Sequence, residues 1–190
     1  MAQRLIIIAG GIGTGKSVVS RVLRCLGKDV YDCDSRARHL MEHDERLQQR
    51  IAETFGDDVY HDGHLDRQRL ATLVFGNSDA LATLNALVHP AVKDDIAAWA
   101  DTHTGTVWLE SAIARESGLD IIAHEAWVVT APIDVRLARV MARDHATAAL
   151  VEARIRAQEC DLPWHCPVTE IPNDGTTPLL PFLHTLLADC

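Results

Sequence analysis

"AGGIGTGKSVV", Ala9 to Val19, follows directly on "LIII", Leu5 to Ile8. The apolar run reads as a buried strand, and the segment behind it fits Gly10-x-x-x-x-Gly15-Lys16-Ser17 at every defined position. That pattern is built to bind phosphate. Glycines let the backbone take positive φ angles and let N–H groups converge on an anion. The helix that follows adds the partial positive charge of its N-terminus. Lys16 supplies a point charge for the β- and γ-phosphates of ATP, and Ser17 a hydroxyl for Mg²⁺. The expected ATP contacts are Gly11, Ile12, Gly13, Thr14, Gly15, Lys16, Ser17 and Val18. Val18, Val19, Val22, Leu23 and Leu26 form one stripe, so the first helix is expected to run from the loop to Gly27.

Beyond this opening, "KDVY" before Asp32, "TVWLE" at Thr106 to Glu110, "AWVVTAP" at Ala126 to Pro132 and, more weakly, "PVTEI" near Val168 read as further strands. Helical periodicity fills the gaps, which predicts an α/β fold with a parallel sheet and crossover helices. Ser35 to Gly105 carries helical signals and no clear strand. "LDRQRLATLVFG" starts with Asp66 as N-cap and ends at Gly76. "NSDALATLNALVHP" starts at Asn77 or Ser78 and is expected to stop before Pro90, with "AVKDDIAAWADTH" following as a separate helix. One crossover helix would suffice here, so the excess predicts a helical subdomain inserted into a single domain spanning residues 1–190.

The formal net charge of −9 excludes a broad basic face, so non-specific nucleic-acid or anionic-membrane binding is not expected. The N-terminal apolar run is too short for a membrane span and lacks a signal-peptide layout. Five scattered cysteines point to free thiols and a cytoplasmic setting. Cys160, His165 and Cys166 read as an incidental cluster rather than half a zinc site.

Three groups of side chains join the phosphate loop. In open parallel sheets ligands bind beyond the carboxyl ends of the strands. Asp32 and Asp34, just after the second strand, can therefore orient or deprotonate an attacking hydroxyl or hold a metal-bound water; alternatively Asp34 or Ser35 only caps the next helix. Glu110 ends an apolar strand, where an acid reaches Mg²⁺ or simply faces water. Arg136, Arg139 and Arg143 share one helical face, and Arg139 and Arg143 read as a lid that neutralises charge in transfer. No N-K-x-D guanine signature occurs, and the chain is too small for a motor, which leaves a small-acceptor kinase.

The ordered stretches "GGIGTGKS", "VYDCDSRAR", "LDRQRLATLVF", "LNALVHP", "ESAIARESGLD", "VTAPIDVRLARVMARD" and "ARIRAQ" resemble the dephospho-CoA kinase family from Ile6 to Gln158. The resemblance implies a P-loop NTPase-type sheet flanked by helices, and ATP-dependent phosphorylation of the ribose 3′-hydroxyl of dephospho-CoA with Mg²⁺. It implies Asp34 as catalytic carboxylate beside Lys16 and Arg139, and Arg139 and Arg143 as lid arginines in a lid over residues 136–158. A CoA-binding subdomain at 35–104 would contact the acceptor through Arg67, His89 and Pro90, with Asp32 also on the acceptor side. His89-Pro90 reads equally as a helix stop with a buried imidazole. Asn173 would lie on the adenine side. Ser111-Ala112-Ile113 and Arg115 depart from the family's pattern, as does "ECDLPWHCPVTEIPND" after Gln158. ATP and dephospho-CoA are the expected partners of a monomer or weak homo-oligomer. The rival readings are a nucleoside or nucleoside-monophosphate kinase and an ATP-binding regulatory protein without acceptor-dependent ADP release.

Overall fold

The computed structural model describes residues 4–158 and 162–188. They divide into two compact units: residues up to Asp32 together with those from His103 onward, and Cys33–Thr102.

The first unit is built on a five-stranded sheet. Its strands are β1 (Arg4–Ala9), β2 (Val30–Asp32), β5 (Thr106–Glu110), β6 (Glu125–Thr130) and β7 (Val168–Pro172), in the spatial order β2-β5-β1-β6-β7. All four pairings are parallel. As a central strand, β1 is covered on both faces, which is why Ile6, Ile7 and Ile8 form a continuous apolar run rather than an alternating one; each is fully buried. Ile6 and Ile8 pack with Val19, Leu23, Trp108, Trp127, Val129, Ile171 and Leu183. The rings of Trp108 and Trp127 meet in tilted contact, 5.9 Å apart. Helix α1 (Lys16–Cys25) lays Val19 and Leu23 into this core, whereas Val18, expected in the same stripe, is exposed because the buried arc is narrower than the apolar one. The weakest strand signal, "PVTEI", is the full edge strand β7. On the β6 side, α6 (Ile133–Asp144) and α7 (Ala148–Ala157) form a hairpin around a small core of their own, Val140, Val151 and Ile155. Helix α8 (Leu179–Ala188) closes this unit.

The second unit contains α2 (Cys33–His43), α3 (Glu45–Phe55), α4 (Arg67–Val74) and α5 (Ser78–Ala100). Asp44, Asp66 and Asn77 cap α3, α4 and α5, each accepting a backbone N–H three residues on. Two expectations need correction here. The segment is not free of strands: β3 (Tyr60–His61) and β4 (His64–Leu65) pair antiparallel around Asp62 and Gly63, both at positive φ. That is the Asp-Gly hairpin turn, overlooked because the flanking runs are only two residues long. Nor does a helix stop before Pro90; α5 runs through it for 23 residues. Val88, Val92, Ile96 and Ala100 are all buried at intervals of four, so the packing stripe continues across the proline and outweighs its local penalty of about 3 kcal/mol. Among the described residues no helix is long and apolar enough to cross a membrane.

Candidate active site

The phosphate loop leaves the carboxyl end of β1 and turns into α1. Gly15 is the N-cap of α1 in a left-handed conformation, φ 95°, and a Cβ there would collide with the Asn173 carboxamide. Glycine at 15 is thus required twice, by backbone angle and by space. Thr14 is buried, and its hydroxyl donates to the Gly11 carbonyl at 2.9 Å. The Lys16 ammonium rests on the loop itself, donating to the carbonyls of Gly10 at 2.6 Å and Gly11 at 3.4 Å. Ser17 and Val18, in the first turn of α1, are exposed.

Side chains from distant sequence hold the loop from behind. Asn173 follows β7, and its Nδ2 donates to the Thr14 carbonyl at 2.8 Å. Arg139 donates from Nη1 to the Asn173 carbonyl at 2.9 Å and lies 3.4 Å from the carbonyls of Gly13 and Thr14. Arg136 donates from Nε to the Ile12 carbonyl at 2.9 Å, and the Ile12 N–H donates to Gln158 Oε1 at 2.6 Å. Arg143, grouped with these on one helical face, turns elsewhere: it grips Asp144 with two nitrogens, and Arg154 reaches the same carboxylate at 3.0 Å. That hydrogen-bonded guanidinium holds the Asp144 carboxyl below its ordinary range and raises Arg143 in turn.

Two acids stand together at the strand ends. Asp32 of β2 and Glu110 of β5 are register partners, and Glu110 is likewise paired with Ile8 of β1, just before the loop. The remaining expected residues belong to the helical unit. Asp34 lies in the first turn of α2. Arg67 opens α4 and reaches Glu42 at 3.7 Å. His89 is half-buried and Pro90 exposed in mid-α5, where Pro90 borders a groove of about 400 Å³ with Leu40, Arg46, Arg50 and Asp94.

A cavity of about 260 Å³ opens beside the first half of the phosphate loop, lined by Gly10, Gly11, Thr14, Ala112, Arg115, Thr130, Arg136, Gln158 and Trp164. The Arg115 guanidinium lies over the Trp164 ring, 5.1 Å from its centroid, and donates to the Leu162 carbonyl at 2.7 Å. The segment carrying Trp164 is pinned by fully buried Asp120, whose Oδ2 accepts the His165 backbone N–H at 3.1 Å and lies 2.8 Å from His165 Nδ1. Burial, then the Asp120 charge, pushes the neighbouring Cys166 thiol up, away from the thiolate a metal would need. Cys160 lies outside the described residues. Sequence reasoning missed Gln158, Trp164 and the grip of Arg136; for Arg136 the shared helical face was the available signal.

The model of the dephospho-CoA kinase family matches residues 4–162. The chain belongs to the dephospho-CoA kinase family. Among the relatives of this family, a dephospho-CoA kinase of Porphyromonas gingivalis is 41% identical over 153 residues, covering 80% of this chain and 76% of the relative. One of Bacteroides fragilis is 34% identical over 185 residues, covering 95% and 90%. A crystal structure of a Thermus thermophilus protein superposes with a TM-score of 0.81 at 32% identity, covering 100% of this chain and 98% of the other. The kinase-family match spans the phosphate loop, both strand-end acids, the helical unit and the α6–α7 hairpin; β7 and Asn173 lie beyond it.

Proposed function

We propose that the chain transfers the γ-phosphoryl group of ATP to the ribose 3′-hydroxyl of dephospho-CoA, giving coenzyme A and ADP, the last step of CoA synthesis. The family match across residues 4–162, which takes in an intact phosphate loop, carries this reading. In the reaction a bond forms between the 3′-oxygen and the γ-phosphorus, and the bond to the β–γ bridging oxygen breaks. Asp34 takes the hydroxyl proton. Loop N–H groups and Lys16 meet the charge that develops on the transferring and leaving oxygens; preorganised donors of this kind are worth about 10²–10³ in rate each. Arg139, anchored on Asn173, adds positive charge behind the loop. Arg143 serves the nucleotide when released from Asp144, and Arg67, His89 and Pro90 hold the acceptor from the helical unit.

The residues present suit Mg²⁺. Ser17, Asp32 and Glu110 offer only oxygen donors, with the two carboxylates in register at neighbouring strand ends. Mg²⁺ is usually held by one or two carboxylates and completes its shell with substrate phosphate and water, a demand this donor set can meet. Bound there, Mg²⁺ would neutralise phosphate charge. The reading extends to a cytoplasmic monomer or weak homo-oligomer that uses no nucleic acid or membrane.

The test is ADP release with Mg-ATP and a panel of acceptors: dephospho-CoA, adenosine, a nucleoside monophosphate, shikimate and water. Remote binding energy from the pantetheine arm should be used to orient the ribose, so dephospho-CoA should exceed adenosine in kcat as well as in affinity. Equal turnover with adenosine or a nucleoside monophosphate would favour a nucleoside-type kinase. ATP binding without acceptor-dependent ADP release would favour a regulatory protein.

A further inference from the structure

The α6–α7 hairpin ends two side chains on one residue of the phosphate loop. Gln158 is the C-cap of α7, and its Oε1 accepts the Ile12 N–H at 2.6 Å. Arg136, in the first turn of α6, donates to the Ile12 carbonyl at 2.9 Å. The peptide groups on both sides of the Ile12 Cα are thereby fixed from outside the loop. Gly11 makes room for this: a Cβ there would lie 2.5 Å from Arg136 Nη2 and 3.7 Å from Gln158 Oε1. The Ile12–Gly13 peptide, held through its carbonyl by Arg136, leads into Gly13 at φ 80°, a left-handed backbone that glycine takes without strain and that leaves the loop little rigidity of its own. Neither bond belongs to the Gly-x-x-x-x-Gly-Lys-Ser pattern.

We propose that Gln158 is a positioning residue for phosphoryl transfer, acting through the Ile12 amide, with Arg136 as the opposing grip. The clamp sets the direction of the loop N–H groups before nucleotide arrives. Its contribution belongs to the transition state, because preorganised donors stabilise developing charge without reorganising. The proposal rests on the kinase reading above, but the clamp itself has a readout that does not involve substrate.

The experiment uses the full chain with Gln158→Leu, which keeps bulk and removes the acceptor. Backbone amide exchange at Ile12, followed by NMR without nucleotide, should accelerate about tenfold, the opening equivalent of one neutral hydrogen bond. The kcat with dephospho-CoA should fall roughly tenfold while its KM stays within about twofold. Gln158→Glu, with an acceptor of the same reach, should keep Ile12 protected. If the Leu variant does not fold, Gln158→Asn, one methylene too short, carries the same expectations. Unchanged Ile12 exchange, or faster exchange with unchanged kcat, would overturn the proposal. A wild-type chain inactive on every acceptor, with Ile12 exchange still responding to the substitution, would instead strike the kinase reading and leave the clamp standing.

Discussion

In the proposed reaction Lys16 and Asp34 divide the chemistry between them, and experiment can separate the two roles. Lys16 sits at the end of the phosphate loop, its ammonium donating to the Gly10 and Gly11 carbonyls. Asp34 lies outside that loop, in the first turn of α2. Asp34→Asn should therefore leave ATP affinity within about threefold of wild type while kcat falls ~10²–10⁴-fold, the usual contribution of a general base. Calorimetric ATP titration beside an ADP-release assay checks this; a parallel loss of binding and turnover would make Asp34 a metal-holding or structural residue. The placements legible in the sequence were those that follow from local pattern: the loop from Gly10 to Ser17 between β1 and α1, and the acids that end β2 and β5. Gln158 was not legible. It meets Ile12 across 146 positions, and no local pattern marks a glutamine at a helix end as a ligand of a distant backbone amide. The arginine face on α6 was visible, but not its division, with Arg136 and Arg139 on the loop and Arg143 on Asp144.

The turn after β7 shows how a short element fixes the loop from behind. Asp174 follows Asn173, and its Oδ1 accepts the backbone N–H groups of Thr176 at 2.8 Å and Thr177 at 2.7 Å, while Oδ2 takes the Thr177 hydroxyl at 3.0 Å. These bonds, the Thr177 N–H first, hold the Asp174 carboxyl well below its ordinary value near 3.8. A carboxyl depressed in the folded state stabilises fully above its unfolded pKa and loses that contribution as pH falls toward the folded value. Asp174→Ala should therefore lower the melting temperature by a constant amount above about pH 4. The gap to wild type should narrow below that pH, which thermal unfolding at a series of pH values would reveal. A gap that stays constant into strong acid would show that the ionised carboxylate contributes nothing there. Among elements, long apolar strands and capped helices could be read in advance. Pro90 and the Asp62-Gly63 hairpin could not: continuous burial along α5 overrides the proline, and two-residue strands leave no periodicity to detect.

The two units differ in how far the sequence exposed them. The sheet unit was legible as a parallel sheet from its apolar runs and the loop; the strand order, with β1 central and the loop at its carboxyl end, comes from the structure. The helical unit, Cys33–Thr102, falls on nearly the same span as the long helical stretch between the second and third sheet strands, and capping residues named two of its helix starts, those of α4 and α5. Which small molecule the enzyme phosphorylates is not written in periodicity or capping; that comes from kinship with dephospho-CoA kinases, together with the intact phosphate loop. The net charge of −9 leaves Arg115, Arg136 and Arg139 around the loop as a local basic site, suited to a compact polyphosphate rather than to a long polyanion. The decisive measurement is the identity of the product formed from Mg-ATP and dephospho-CoA, by mass spectrometry and ³¹P NMR. One added phosphoryl group on the ribose 3′-oxygen, with stoichiometric ADP, is the expected result. Phosphate on any other oxygen, or ADP formed with dephospho-CoA unaltered, would contradict the assignment.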